Sequence, residues 1–112
     1  MIRVLMSSDA AALLRALLAR AGVPRDRILL TEIRSVDWQS LTMVGERHEL
    51  AMRIPGPFAV QVAARLCDGL SDAEFAIPGQ IVADIIVVDG PAVGTDGSVS
   101  MAIEALTICA PD

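Results

Sequence analysis

Residues 46–54, ERHELAMRI, alternate without interruption. His48, Leu50, Met52 and Ile54 fall on one side of an extended chain; Arg47, Glu49, Ala51 and Arg53 fall on the other. Successive side chains of a strand point to opposite faces. This stretch therefore has one buried face and one wet face, as a strand of an antiparallel sheet does when only one side is covered. Residues 98–108, SVSMAIEALTI, repeat the pattern. Val99, Met101, Ile103 and Ala105 share one face, and Ser98, Ser100 and Glu104 the other.

Helical spacing appears twice. In SSDAAALLRALLARAG, Leu13, Leu14, Leu17, Leu18 and Ala21 recur at intervals of three and four. Ser7 or Ser8 can cap the start, Asp9 suits the positive end of the helix dipole, and Gly22 with Pro24 stops the helix. In PFAVQVAARLCDGL, Ala59, Val62, Ala63, Leu66 and Leu70 line one side, with Gly69 at the end. The tripeptide Ile-Pro-Gly occurs at 54–56 and again at 77–79. The first leads into a helix and places Pro57 at its first position. The second leads into QIVADIIVV, too short and too β-branched for a helix, and requires Gly79 to turn the chain. These are two turns with different exits, not a duplicated site.

DRILLTEIRSV reads as a further strand, with DWQS as a turn or bulge after it. DGPAVGTDG reads as a loop closed by Asp96-Gly97, a hairpin signal. IRVLM at Ile2–Met6 is a candidate first strand. The order is (β)αββαββ. It predicts a single α+β domain over residues 1–112: a two-layer sandwich with a mostly antiparallel sheet of four to five strands and both helices on one face.

Composition bears on partners. The chain is 54% hydrophobic and 21% charged, against roughly 45–50% and about 25% in average domains. A small domain has little interior in which to hide that surplus, which predicts a homo-oligomer. With net charge -5, scattered arginines, one Trp, two Phe and no Tyr, nothing suggests a phosphate-tracking groove, and no sequence-specific nucleic-acid binding is expected. The longest apolar run, IVADIIVV, is too short to span a bilayer. The N-terminus lacks the order of a signal peptide. The expectation is a cytoplasmic protein without membrane contact, with Cys67 and Cys109 reduced and mostly buried.

Residues with the spacing of a chemical site are few. His48 is the one histidine, and with two cysteines it has no metal-ligand spacing. Asp84 interrupts an apolar strand. Such a carboxylate is either a functional group with a raised pKa or a structural one at an edge, a bulge or an ion pair. Trp38 is either a core plug or an interface anchor. Asp68, Asp72 and Glu74 lack the spacing of a calcium loop, and GPAVGTDGS lacks the Lys and the strand-to-helix setting of a phosphate loop. No catalytic residue, cofactor site or metal site is expected. Trp38, His48 and Asp84 stand as structural or interface candidates.

The succession GERHELAMRI, AVQVAARLCDGL, AEFAIPGQIVADIIVV, an Asp-Gly loop and a last strand ending EALTI resembles the tail-completion, or tail-terminator, proteins of long-tailed phages and of gene transfer agents. The resemblance covers roughly residues 36–108. It rests on Trp38 ahead of the alternating strand, Gly79 and Asp84 in the turn and strand, Asp96-Gly97, and the closing Ala105-Leu106-Thr107. It implies a non-enzymatic structural subunit that forms a ring at the tail–head junction and meets tail-tube or head-connector proteins. The alternative expectation is a small ferredoxin-like ligand-binding or regulatory dimer. A small enzyme would have to work through His48 and Asp84.

Overall fold

The computed structural model describes residues 6–110. The strand expected at Ile2–Met6 falls almost wholly outside them. Six main elements follow in order: α1 (Ser8–Ala21), β1 (Leu29–Gln39), β2 (Val44–Ile54), α2 (Ala59–Cys67), β3 (Gln80–Val93) and β4 (Val99–Cys109). Short 3-10 turns at Arg25–Arg27 and Leu70–Asp72 follow the two helices. The four strands form one antiparallel sheet in the order β1-β2-β4-β3. The chain is thus two helix-plus-hairpin units joined through their inner strands, β2 and β4. The α+β architecture matches the expectation from periodicity.

Helix α1 begins where its sequence says it should. Ser7 is the N-cap, its Oγ accepting from the Ala10 N–H at 3.1 Å. Gly22 ends the helix in the left-handed region at φ 71, donating its N–H to the Ala19 carbonyl. Leu13, Leu17 and Ala21 turn onto the sheet and are buried. Helix α2 buries Ala59, Val62, Ala63 and Leu66, and Leu70 is buried just beyond it. Both helices join one core with Leu50, Met52, Ile54, Ile85, Val99, Met101 and Ile103 of the sheet. All three core residues of β2 come from the alternating set. Each fully buried aliphatic side chain contributes about 1.5–3 kcal/mol, so this face dominates the stability.

Four local expectations are corrected. Helix α2 starts at Ala59, so Pro57 lies before it; Phe58 is the N-cap, at φ 68 and without a side-chain capping bond. Strand β2 ends in the sheet layer, and the chain uses Pro55–Phe58 to climb to the helix layer before it can coil. Second, DWQS is not a turn. Asp37, Trp38 and Gln39 extend β1, because β2 supplies partners at Glu46, Gly45 and Val44; the turn falls on residues 40–43. Third, DGPAV is not loop. β3 runs on to Val93, pairing Ala92 with Ser100 and Val93 with Val99, and register shifts absorb Gly90 and Pro91. The hairpin closes within residues 94–98, where the Gly94 N–H donates to the Ser98 carbonyl at 2.7 Å. Last, Cys109 is exposed and Cys67 half-buried; Cys109 is the last residue of β4, beyond the reach of the core.

The second Ile-Pro-Gly behaves as expected. Gly79 has φ +75, and the Gln80 N–H donates back to the Ile77 carbonyl at 3.1 Å. Pro second and a left-handed Gly third is the signature of a type II turn.

The two sheet faces should respond differently to truncation. Ile103→Ala, on the covered face at full burial, is expected to cost about 2–5 kcal/mol. Ile86→Ala, on the opposite face and 42% exposed, should cost less than about 1 kcal/mol. Urea titrations of the two purified variants check this. Equal losses would mean that the face assignment is wrong.

Candidate functional site

The alternation that buries Leu50, Met52 and Ile54 also carries His48 inward. It is fully buried. A buried imidazole needs partners for both nitrogens, and the neighbouring strands supply them. Ser35, opposite His48 on β1, places its Oγ 2.7 Å from Nδ1. Thr107 on β4 places Oγ1 2.8 Å from Nε2. Thr107 is itself fully buried, and its hydroxyl donates to the Glu46 carbonyl at 3.5 Å. That leaves the Thr107 oxygen to accept from the Nε2 hydrogen, and Nδ1 to accept from Ser35. The result is a hydroxyl–imidazole–hydroxyl bridge across three strands.

Burial pushes the His48 pKa down, against an opposing pull from the Asp9 carboxylate. Glu46 lies on the same face, two residues away. Burial raises its pKa; the Ser7 hydroxyl lowers it, and the nearby Asp9 and Asp37 carboxyls raise it further. Hydroxyl–imidazole pairs can also activate a nucleophile, but that chemistry needs a substrate within reach. His48 is fully buried and both its ring nitrogens are taken up by hydroxyls, which leaves the imidazole no open space for a substrate. The geometry suits a structural polar bridge.

Asp84 is on the other face. It pairs with Leu106, which pairs in turn with Arg47 on the wet side of β2. A register shift between Val82 and Asp84 marks a bulge in β3, an outer strand, and Asp84 is exposed. This explains a carboxylate inside an apolar run: the bulge on the outer strand keeps it in water, where its charge costs little. Asp84 and His48 therefore share no cleft. Trp38 also lies on the open face, half-buried opposite Gly45. A Cβ at position 45 would collide with the Thr107 carbonyl oxygen, so only glycine lets β2 and β4 approach there. Trp38 lines a cavity of about 340 Å³ at that end of the sheet, with Asp9, Asp37, Glu46 and Cys109 among its neighbours.

Two ion pairs brace the sheet among the described residues. Arg47 bridges to Glu104 at 2.8 Å across β2 and β4. Arg53 pairs with Asp96 at the hairpin turn. The Ser98 hydroxyl and backbone N–H, with Arg53, hold the Asp96 carboxyl down to about 2. That makes Asp96, which the Asp-Gly signal had singled out, the clasp of the β3–β4 turn. Leu29, Val36, Leu41, Met43, Val44, Ile81, Ile86, Val88 and Val93 are all exposed, on the sheet face that the helices do not cover, along the outer strands or at the hairpin ends. The outer strands themselves are poorly suited to pairing. β1 carries a bulge between Leu30 and Glu32, β3 has three register shifts, and Pro91 lacks a backbone donor. Irregular edges resist strand addition, so the side chains, not the open backbone edges, offer the contact surface.

The His48 bridge has a pH signature. Its folded-state pKa lies below the unfolded value near 6.5, so below that pH the unfolded chain binds more protons. Stability should be fully present above about pH 6.5 and fall as the pH drops. Glu46, raised by burial, works in the opposite sense in the carboxylate range. The difference between wild type and His48→Gln isolates the imidazole. Chemical denaturation from pH 7.5 to 5 should show a decline in the wild type that the variant lacks, and parallel curves would refute the bridge.

Among the described residues, no three His, Cys, Asp or Glu side chains gather as a metal site would require, and no helix is long and apolar enough to cross a membrane. No family model matches this chain, and no curated protein matches it significantly.

Proposed function

We propose that this protein is a structural assembly subunit of the phage tail-terminator kind, forming an oligomeric ring at a tail–head junction and doing no catalysis. The observation that carries the reading is the uncovered side of the sheet and its hairpin ends, where large aliphatic side chains stand in solvent. Isolated exposed apolar residues are ordinary; here they recur along both outer strands and at both hairpin ends, and exposed apolar surface of this extent suits a contact between proteins. The resemblance through Trp38, Gly79, Asp84, Asp96-Gly97 and Ala105–Thr107 supports the kind of assembly. Gly45 lets β2 and β4 approach closely, and the Asp96 clasp fixes the β3–β4 turn, so the sheet ends have a set geometry that a repeating subunit can use. Its partners would be further copies of itself and the tail-tube or head-connector proteins beside it.

Native mass spectrometry and light scattering on the purified chain test the reading. A closed ring of one size is the expected result. A dimer would favour a small regulatory or ligand-binding role instead. A monodisperse monomer at high micromolar concentration, in physiological salt, would remove the basis of the proposal.

A further inference from the structure

The two ends of β1 carry surfaces that fit one another. Beyond its C-terminal end the β1–β2 turn presents Leu41 fully exposed, with Met43 and Val44 about half exposed beside it. Ser40 holds this turn. Its Oγ accepts from the N–H groups of Thr42 at 3.3 Å and Met43 at 3.1 Å, and its own N–H donates to the Met43 carbonyl at 2.8 Å. The tip is therefore ordered before any partner arrives, which lowers the entropic cost of docking. The charges that flank it in sequence are both acidic, Asp37 and Glu46.

Beside the N-terminal end of β1 lies an apolar groove between that strand and α1. Met6, Leu14, Leu18, Ile28, Leu30 and Met52 line it, around about 170 Å³ of space. An apolar void of about 150 Å³ accepts a benzene-sized group, so one leucine side chain fits. Exposed Arg15 lines the adjoining hollow along α1. Exposed Arg27 precedes Ile28, with Asp26 the carboxylate of that turn. The rim is thus net basic where the tip is flanked by acid.

We infer that the Leu41 tip of one copy seats in the α1–β1 groove of the next, with Asp37 and Glu46 meeting the Arg15 and Arg27 side. This rests on the assembly reading above and names its contact. Tip and groove lie at opposite ends of an 11-residue strand, roughly 35 Å apart at the rise of a β-strand. They are different surfaces, so the contact is head-to-tail, and head-to-tail contacts close into rings when the rotation between copies allows it.

The test uses variants that each destroy one surface. Leu41→Asp carries a carboxylate into the apolar groove and should weaken self-association roughly a hundredfold or more. Leu18→Asp should do the same from the groove side. Arg15→Asp, at an exposed position, should weaken it about tenfold with folding intact. Each variant is checked for wild-type melting and then weighed by native mass spectrometry. The decisive measurement is a mixture. Leu41→Asp keeps its groove and Leu18→Asp keeps its tip, so together they should form one-to-one dimers and nothing larger. If Leu18→Asp fails to fold, Arg15→Asp carries the groove side alone, and association as tight as in the wild type would overturn the inference. Should wild type assemble while Leu41→Asp assembles equally well, the contact is wrong and the assembly reading stands. If Leu18→Asp only lowers the melting temperature and leaves the mass unchanged, the groove is filled within one chain and the inference falls. A mixture that stays monomeric overturns the head-to-tail arrangement, and a monomeric wild type overturns both proposals.

Discussion

The pairing of β2 with β4 holds this fold together. Each αββ unit can make its own hairpin and place its own helix, but neither can bury its apolar face alone. The β2–β4 ladder, Gly45 opposite Ile108 through Ile54 opposite Val99, brings both alternating strands side by side. Leu50 then meets Ile103, and Met52 meets Met101, under two helices at once. Because a strand's side chains have a period of two, a slip of one residue would expose this whole set. The His48 bridge sits at the same seam. Its hydrogen bonds to Ser35 and Thr107 are satisfied only in the native register, so the bridge penalises slipped pairings that hydrophobic contact alone would tolerate.

Covering one face leaves the other to water. Two helices of 14 and 9 residues are enough for one side of a four-stranded sheet. On the open side, charged and aliphatic side chains alternate from strand to strand: Val36, Arg47, Leu106 and Asp84 form one row. The Arg47–Glu104 pair is partly exposed on both sides and contributes at most about 1 kcal/mol. Its larger effect is to keep the face wettable. The bulges of β1 and β3 protect the edges in the same way. Apolar side chains nevertheless remain in solvent along both outer strands and, most exposed of all, at the β1–β2 tip.

The readability of this chain differed from element to element. Strands β2 and β4 were legible because each has one buried face, and burial prints its period on the sequence. Helix α1 was legible because its stripe, its Ser7 cap and its Gly22 stop agree. Gly79 could be assigned a special backbone angle from its place after Ile-Pro alone. The outer strands were harder. Asp37-Trp38-Gln39 and Asp89–Val93 have the composition of turns, yet they are strand because a neighbour offers partners across the ladder. Local propensity yields when a pairing partner is already in place. The start of α2 was misplaced for a related reason: Pro57 marks helix starts in general, but here the chain first had to change layers.

His48 shows the division most clearly. Sequence placed it on the buried face of β2, because alternation depends only on neighbours one and two residues away. Its partners, Ser35 and Thr107, are 13 and 59 residues distant, and no local pattern connects them. Asp84 is the converse. Its oddity was visible in IVADIIVV, but whether it was buried depended on a bulge and on β3 being an outer strand. Sequence by itself determined the elements, the face each buries and the α+β class, since these follow from periodicity and turn chemistry. Only the tertiary structure decided which strands are outermost, which hydroxyls close on the imidazole and which leucine stands in solvent, since these depend on contacts between segments that are remote along the chain.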